Sequence, residues 1–243
     1  MIQLLALLLT VPPVPHPPAD RYAVAKKLLD VAPLPPSLKA QLLDRAVSVY
    51  SYSVMPSGQS DDYDRRRKVQ ILIKRRIAGD DRFKADFDGC MIDAVGWRYD
   101  LPTLNNIEKA LVTPGGAVLW NENMIPTAEK CLSDTMPAFL QYTGFASAIR
   151  WFSTSRLSEA LPDYVSGKTS LNTLSTDLVA YCGASTKNAL ALRNEKLGII
   201  EAWTSKKRNS AAEACLVHSA TLAGYDLPIL QTDGSTAKLI IAF

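Results

Sequence analysis

Residues 60–79 read SDDYDRRRKVQILIKRRIAG. The apolar residues Val69, Leu72, Ile73 and Ile77 recur at spacings of three and four. That spacing gathers them on one side of a helix; a strand would alternate every second residue. Ser60 is placed to cap this helix, and Asp61, Asp62 and Asp64 fall in its first turns. Arg75 and Arg76 fall near its end, so acid early and base late suit the helix dipole. Gly79 closes it. The polar side is densely basic: Arg65, Arg66, Arg67, Lys68, Lys74, Arg75 and Arg76.

The same period extends in both directions. Asp20 is placed to cap a helix over about 20–31, which Pro33, Pro35 and Pro36 end. After Ser37, the residues Leu38, Leu42, Ala46, Val49 and Tyr50 form one apolar face of a second helix. Met55–Ser60 reads as a turn. Beyond the basic helix, a fourth runs from about Asp81 through Cys90 to Trp97. Thr103 is placed to cap a short helix carrying Leu104, Ile107, Ala110 and Leu111. Pro114, Gly115 and Gly116 break it, and a longer helix from about Ala117 runs through Cys131 to about Leu140. Pro126 is expected to start, kink or split that helix. Tyr142–Gly144 is the best boundary between two halves. Helices are then expected over 145–161, 171–181, 187–203 and 209–223, with Gly224 as the last C-cap. Lys238–Phe243 reads as a strand or an extended tail. The fold class predicted is mainly α: a bundle of helix hairpins ending in a short C-terminal strand.

The N-terminus has another character. Met1–Val11 is short, uncharged and leucine-rich, and Pro12–Pro18 follows with five prolines around Val14 and His16. The apolar run is too short to span a bilayer, which takes about 20 residues. A short apolar run and a breaker fit a signal peptide over 1–19, cut near Ala19. The organisation expected is therefore a leader over 1–19, an N-terminal helical half over 20–140 and a C-terminal half over 145–243, with one core or two.

Cys90, Cys131, Cys182 and Cys215 make an even set, which in an exported chain reads as two disulfides. Three connectivities are open; locality favours Cys90–Cys131 with Cys182–Cys215. No Cys-x-x-Cys spacing occurs, so neither a thioredoxin-like site nor a zinc knuckle is indicated. A periplasmic or secreted location follows from the leader and the cysteines together. Of 243 residues, 47% are hydrophobic and 21% charged, which is ordinary globular composition. The net charge of +3 is too small an excess to indicate a nucleic-acid partner.

Two internal echoes occur. Tyr99-Asp-Leu-Pro-Thr-Leu104 recurs as Tyr225-Asp-Leu-Pro-Ile-Leu230, and Ala128-Glu-Lys-Cys-Leu132 recurs as Ala212-Glu-Ala-Cys-Leu216. They pair Cys215 with different partners, so they do not mark one simple duplication.

Leu101–Trp120, LPTLNNIEKALVTPGGAVLW, resembles a pattern in exported bacterial helical proteins grouped as domain of unknown function 2059. There a helix ends in a proline or small-residue step, then glycine, and a second helix leads away. The resemblance covers about residues 60–140. It implies a helical fold and the periplasm, and it carries no catalytic residues. This chain departs from it in its long cysteine-bearing second half and in Pro126.

Several patterns touch on chemistry. The basic helix is amphipathic, so Arg66, Arg67, Lys74 and Arg75 are candidates for contact with an anionic membrane surface. The simpler reading makes its apolar side core and its basic side a solvated face. Val165–Ser170 superficially suggests a phosphate loop, but Pro162 stands where the first glycine belongs. Ser235 and Lys238 match Ser-x-x-Lys, with too little chain following. His218 lies three residues after Cys215, a spacing that a metal could bridge unless Cys215 is oxidised. Glu108, Glu122, Glu129, Glu195, Glu201 and Glu213 are scattered, and an acid pair across a cleft does not show in sequence. Trp97, Trp120, Trp151 and Trp203 are expected in the core. No cofactor or metal is predicted.

The function class expected is a non-enzymatic binding or envelope-associated accessory protein, with an unidentified envelope protein or ligand as partner. The alternatives are a membrane-surface binder acting through 65–77, with peripheral membrane contact, and a hydrolase using an unrecognised carboxylate pair.

Overall fold

In the computed structural model the basic stretch is a helix, Tyr63–Ala78, and Val69, Leu72, Ile73 and Ile77 are its buried residues. The structure describes residues 15–55, 62–78, 80–154, 182, 189–194, 199–205, 210–225, 228–233 and 236–242. In chain order the described helices are α1 (Ala19–Val31), α2 (Pro36–Val54), α3 (Tyr63–Ala78), α4 (Asp81–Arg98), α5 (Leu101–Leu111), α6 (Pro114–Tyr142), α7 (Phe145–Thr154) and α8 (Ser210–Leu222). The strands are β1 (Ala189–Asn194), β2 (Ile199–Ser205), β3 (Ile229–Asp233) and β4 (Thr236–Ala242). The chain is mainly helical and carries two disulfides, Cys90–Cys131 and Cys182–Cys215. No cysteine is free.

The starts of α3, α4, α5 and α6 follow one rule. The carboxylate or hydroxyl just ahead of the first turn accepts the N–H three residues on, which satisfies a donor the helix leaves open. Asp62 does this for Arg65 at 3.0 Å, Asp80 for Phe83 at 3.1 Å, Asp100 for Thr103 at 2.9 Å and Thr113 for Gly116 at 3.2 Å. The cap of α5 is thus Asp100, not Thr103; Ser60 lies outside the described residues. Hydrogen bonds from Thr103 hold the Asp100 carboxyl below its ordinary range. Asp20 is not a cap either: α1 begins one residue earlier, after Pro18. Ser37 likewise lies inside α2, whose first residue is Pro36.

Pro114–Gly116, expected to lie between helices, is the first turn of α6. The α5–α6 turn is so tight that a side chain at Gly116 would sit 2.0 Å from the Ala110 carbonyl oxygen. Nor does Pro126 start or split a helix. α6 continues through it, and Arg98 donates to the Asn123 carbonyl at 3.4 Å beside the turn that the proline perturbs.

The chain divides into two units that are discontinuous in sequence. One comprises residues up to Pro36 with Asp88–Ala128. Its core gathers Ala25 and Leu28 of α1, Met91 and Val95 of α4, Leu104 of α5, and Trp120 and Met124 of α6. The Trp120 indole donates to the Ala32 carbonyl at 3.1 Å, at the end of α1. Lys27 pairs with Glu108 between α1 and α5.

The other unit comprises Ser37–Phe87 with Glu129–Phe243. Here the buried side of α3 joins Phe83, Phe87, Met136, Phe139, Leu140, Ile149 and Phe152 in the core. Phe83 and Phe139 meet edge to face at 5.5 Å. α8 packs on α7 and against β3 and β4, and Cys215, Leu216, Ser219 and Ala220 are among its buried residues. Its buried Cys215 is tied to Cys182.

The second half departs from expectation most over 187–203. The described residues of that stretch are not helix: 189–194 form β1 and 199–203 belong to β2, an antiparallel pair. Short apolar runs do not distinguish helix from strand by period alone. What decides here is a partner: β2 pairs with β4, so Ile200 faces Ile241 and Trp203 faces Leu239 in register. β3 covers the other edge of β4, giving a four-stranded antiparallel sheet in the order β1-β2-β4-β3. The C-terminal strand is therefore present and lies inside a sheet. Of the helix expected over 145–161, Phe145–Thr154 is α7; residues 155–161 and the helix expected over 171–181 lie outside the described residues.

The first echo does not mark a structural repeat: Asp100-Leu-Pro opens a helix, whereas its second copy leads into β3. Both copies of the second echo lie in helices, α6 and α8.

α8 ends where Gly224 was expected to end it. The Tyr225 N–H reaches the Ala220 carbonyl at 3.2 Å and the Gly224 N–H reaches Thr221 at 3.0 Å, with Gly224 at φ 101°. This is the Schellman closure, which needs left-handed backbone. Replacing Gly224 with alanine is expected to cost about 1–2 kcal/mol. Urea denaturation of the variant checks this, and an unchanged midpoint would contradict it.

Candidate functional site

α2 carries an apolar stripe that the fold leaves partly uncovered. The sequence puts Leu38, Leu42, Ala46, Val49 and Tyr50 on one apolar face of this helix. Leu42 is buried, but Val49 is 67% exposed. Leu42, Ala46, Val49 and Tyr50, with Arg45 and Ser53, form one wall of an open pocket of about 330 Å³. The facing wall is one side of α6, contributed by Glu129, Ser133, Met136 and Pro137. Spacings of three and four put each set on one helix face. All these residues belong to the second unit.

Five of the ten lining residues carry polar side chains: Arg45, Tyr50, Ser53, Glu129 and Ser133. Arg45 donates to Glu129 at 2.8 Å, an exposed pair contributing at most about 1 kcal/mol and free to exchange with a ligand. Burial pushes the Tyr50 phenol above its usual range, with nearby Arg150 acting in the opposite sense, so Tyr50 is a neutral donor and acceptor at ordinary pH. The Ser53 hydroxyl donates to the Tyr50 carbonyl at 2.8 Å. Pro137 has no N–H to give the Ser133 carbonyl four residues back, which leaves an acceptor on the α6 wall. The apolar part of the lining is Leu42, Ala46, Val49, Met136 and Pro137, with the polar groups set among them.

The basic helix is arranged differently from a membrane anchor. Its apolar side, Val69, Leu72, Ile73 and Ile77, is buried in the core and unavailable to acyl chains. Of the four candidate residues, Lys74 pairs with Asp44 at 2.8 Å and Arg66 lies over the rings of Tyr52 and Tyr63. Arg67 and Arg75 are exposed. Arg76, a further basic residue, is 11% exposed, pairs with Asp80 at 3.1 Å and covers the Phe139 ring. Arg65 donates to the Ser153 carbonyl. One side of α3 is thus core, and Arg67, Lys68 and Arg75 are exposed.

Cys215 is oxidised, so a Cys215–His218 metal pair is not formed. His218 instead stacks on Trp151, with ring centroids 5.2 Å apart. Among the described residues, no group of three or more His, Cys, Asp or Glu side chains is placed to hold a metal ion. Glu108 pairs with Lys27, Glu129 pairs with Arg45, Glu213 is buried on α8 and Glu122 is exposed. Glu201 lies on β2 and Lys238 on β4, while Glu195, Ser235 and residues 162–170 lie outside the described residues. Of the tryptophans expected in the core, Trp120 is buried, but Trp97 is 52% exposed. Its docking partner, described below, had no signal in residue spacing.

Among the described residues, no helix is long and apolar enough to cross a membrane. The disulfides belong to an oxidising, non-cytoplasmic compartment. No family model matches the chain, and neither a curated protein nor a solved structure was found to be similar to it.

Burial lowers the His218 pKa from the ordinary 6.5. Protonation therefore favours the unfolded chain. The stability this neutral ring contributes is full above that ordinary value and is lost as pH falls through the folded value. Urea midpoints are expected to drop from pH ~7.5 to ~5.5. His218→Asn should flatten part of that slope, and an unchanged slope would refute the assignment.

Proposed function

We propose that this chain is an exported, non-enzymatic binding protein, periplasmic or secreted, that takes a small amphipathic molecule into the α2–α6 pocket. The observation that carries the reading is the uncovered apolar stripe of α2. Val49 stands exposed beside buried Leu42 and Met136 in a cavity of about 330 Å³. That volume suits a small molecule rather than a helix or strand. The walls would take an apolar body, and Tyr50, Arg45 and the Ser133 carbonyl would orient a polar head. The likeness of residues 60–140 to the domain of unknown function 2059 group belongs to this proposal and supports its export and its helical character.

Anionic membrane contact is the second reading, resting on exposed Arg67 and Arg75. With the apolar side of α3 in the core, such contact would be electrostatic alone and would disappear in high salt. A hydrolase reading draws less support, since Glu108 and Glu129 are each engaged by a cation.

Anilinonaphthalene sulfonate, an apolar dye with an anionic head, is expected to bind the native protein. Val49→Glu should weaken that binding at least about tenfold, or ~1.4 kcal/mol, because it places a charge on the apolar wall. Since Val49 is exposed, the thermal midpoint should not move. Undiminished dye binding by the variant would remove the pocket from consideration. Co-sedimentation with anionic vesicles, abolished by charge reversal at Arg67 and Arg75, would favour the second reading instead.

A further inference from the structure

Pro15, His16 and Pro17, just ahead of α1, are seated on α4, within one unit. The Trp97 indole donates to the Pro15 carbonyl at 3.1 Å. His16 Nδ1 lies 2.9 Å from Asp93 Oδ1, and its ring meets Tyr22 edge-on at 5.8 Å. Pro17 is buried. Its ring occupies the space over Gly96, where an added Cβ would come within 2.7 Å of Pro17 Cγ. Pro18 adopts φ −48° and ψ 140°, near polyproline II, and its carbonyl accepts the Tyr22 N–H at 2.9 Å. Each residue from Pro15 to Pro18 thus has a specific neighbour, and prolines lose little chain entropy on docking.

We infer that Pro15–Pro18 is a permanent strap of the folded protein, and that leader removal takes place ahead of Pro15 rather than near Ala19. This rests on the export reading above. Removal is hydrolysis of one peptide bond: water adds across it, the upstream residue leaves as a carboxylate and the downstream one keeps a new α-amine. Cutting before Ala19 or Asp20 would delete the acceptor of Trp97, the partner of Asp93 and the ring that fills the Gly96 notch. It would also delete the Pro18 carbonyl that takes the first backbone bond of α1. The new ammonium would then stand at the helix N-terminus, where the dipole disfavours positive charge. Cutting ahead of Pro15 keeps all these contacts and puts the new charge outside them.

Two measurements test this. The first is intact mass with unreduced peptide mapping on protein from the native host. A first residue beyond Met1 and no later than Pro15 supports the inference; one at Ala19 or Asp20 overturns it while leaving export intact. Met1 retained with free thiols overturns export, and with it the processing step. The second reads the strap itself in the full chain through Gly96→Ala. Alanine favours helix over glycine, so with no strap over Gly96 the variant melts higher. With Pro17 seated there it melts lower, and the sign reverses in a Pro17→Gly background. A higher melting point for Gly96→Ala alone overturns the strap whatever the N-terminus proves to be.

Discussion

One helix face organises much of this chain. Along α6, Trp120, Met124, Ala128, Cys131, Leu132, Met136, Phe139 and Leu140 are all buried, at steps of three and four. Each large side chain so buried contributes about 1.5–3 kcal/mol relative to exposure. Trp120 and Met124 serve the core of one unit, and Met136 and Phe139 serve the core of the other. Both internal prolines of α6 lie off this stripe: Pro126 is exposed and Pro137 is half-buried. A proline on the buried face would leave an unpaired carbonyl in the core; placed off it, the freed carbonyls are those of Glu122 and Ser133, both exposed residues.

The pocket is a consequence of the same geometry. α2 offers an apolar stripe of which the neighbouring helices cover only a part, so Leu42 enters the core while Val49 stays outside it. Exposed apolar surface carries a standing solvation cost, and a cavity that keeps it is a reasonable place for a ligand to dock. The basic face of α3 has no such character. Arg65, Arg66, Lys74 and Arg76 are engaged by Ser153, aromatic rings, Asp44 and Asp80, so they serve the fold before any partner, while Arg67 and Arg75 are exposed.

The C-terminal part of the second unit combines a buried helix, a disulfide and a sheet. The Cys182–Cys215 bridge spans 33 residues, and closing a loop of that length stabilises by about 3–4 kcal/mol through the unfolded chain. It anchors α8, whose neighbours β3 and β4 come from the last residues of the sequence. Non-local pairing of this kind gains nothing until both strands are in place.

By itself the sequence determined the helices with long apolar periods, the acidic residues beside their starts, the glycine that ends α8 and the pairing of an even set of cysteines. These are local properties: a period of 3.6 residues, an oxygen three residues from a donor, a backbone angle that favours glycine, two like groups in an oxidising compartment. Tertiary structure alone decided that 189–194 and 199–205 are strands, because the backbone partners of the second lie at 237–242, far along the chain. It also decided that Val49 lines a pocket while Leu42 is core, since covering a stripe depends on what packs against it. And it seated Pro15–Pro17 on α4, because Asp93, Gly96 and Trp97 form a receptor on one helix face that residue spacing near the prolines does not encode.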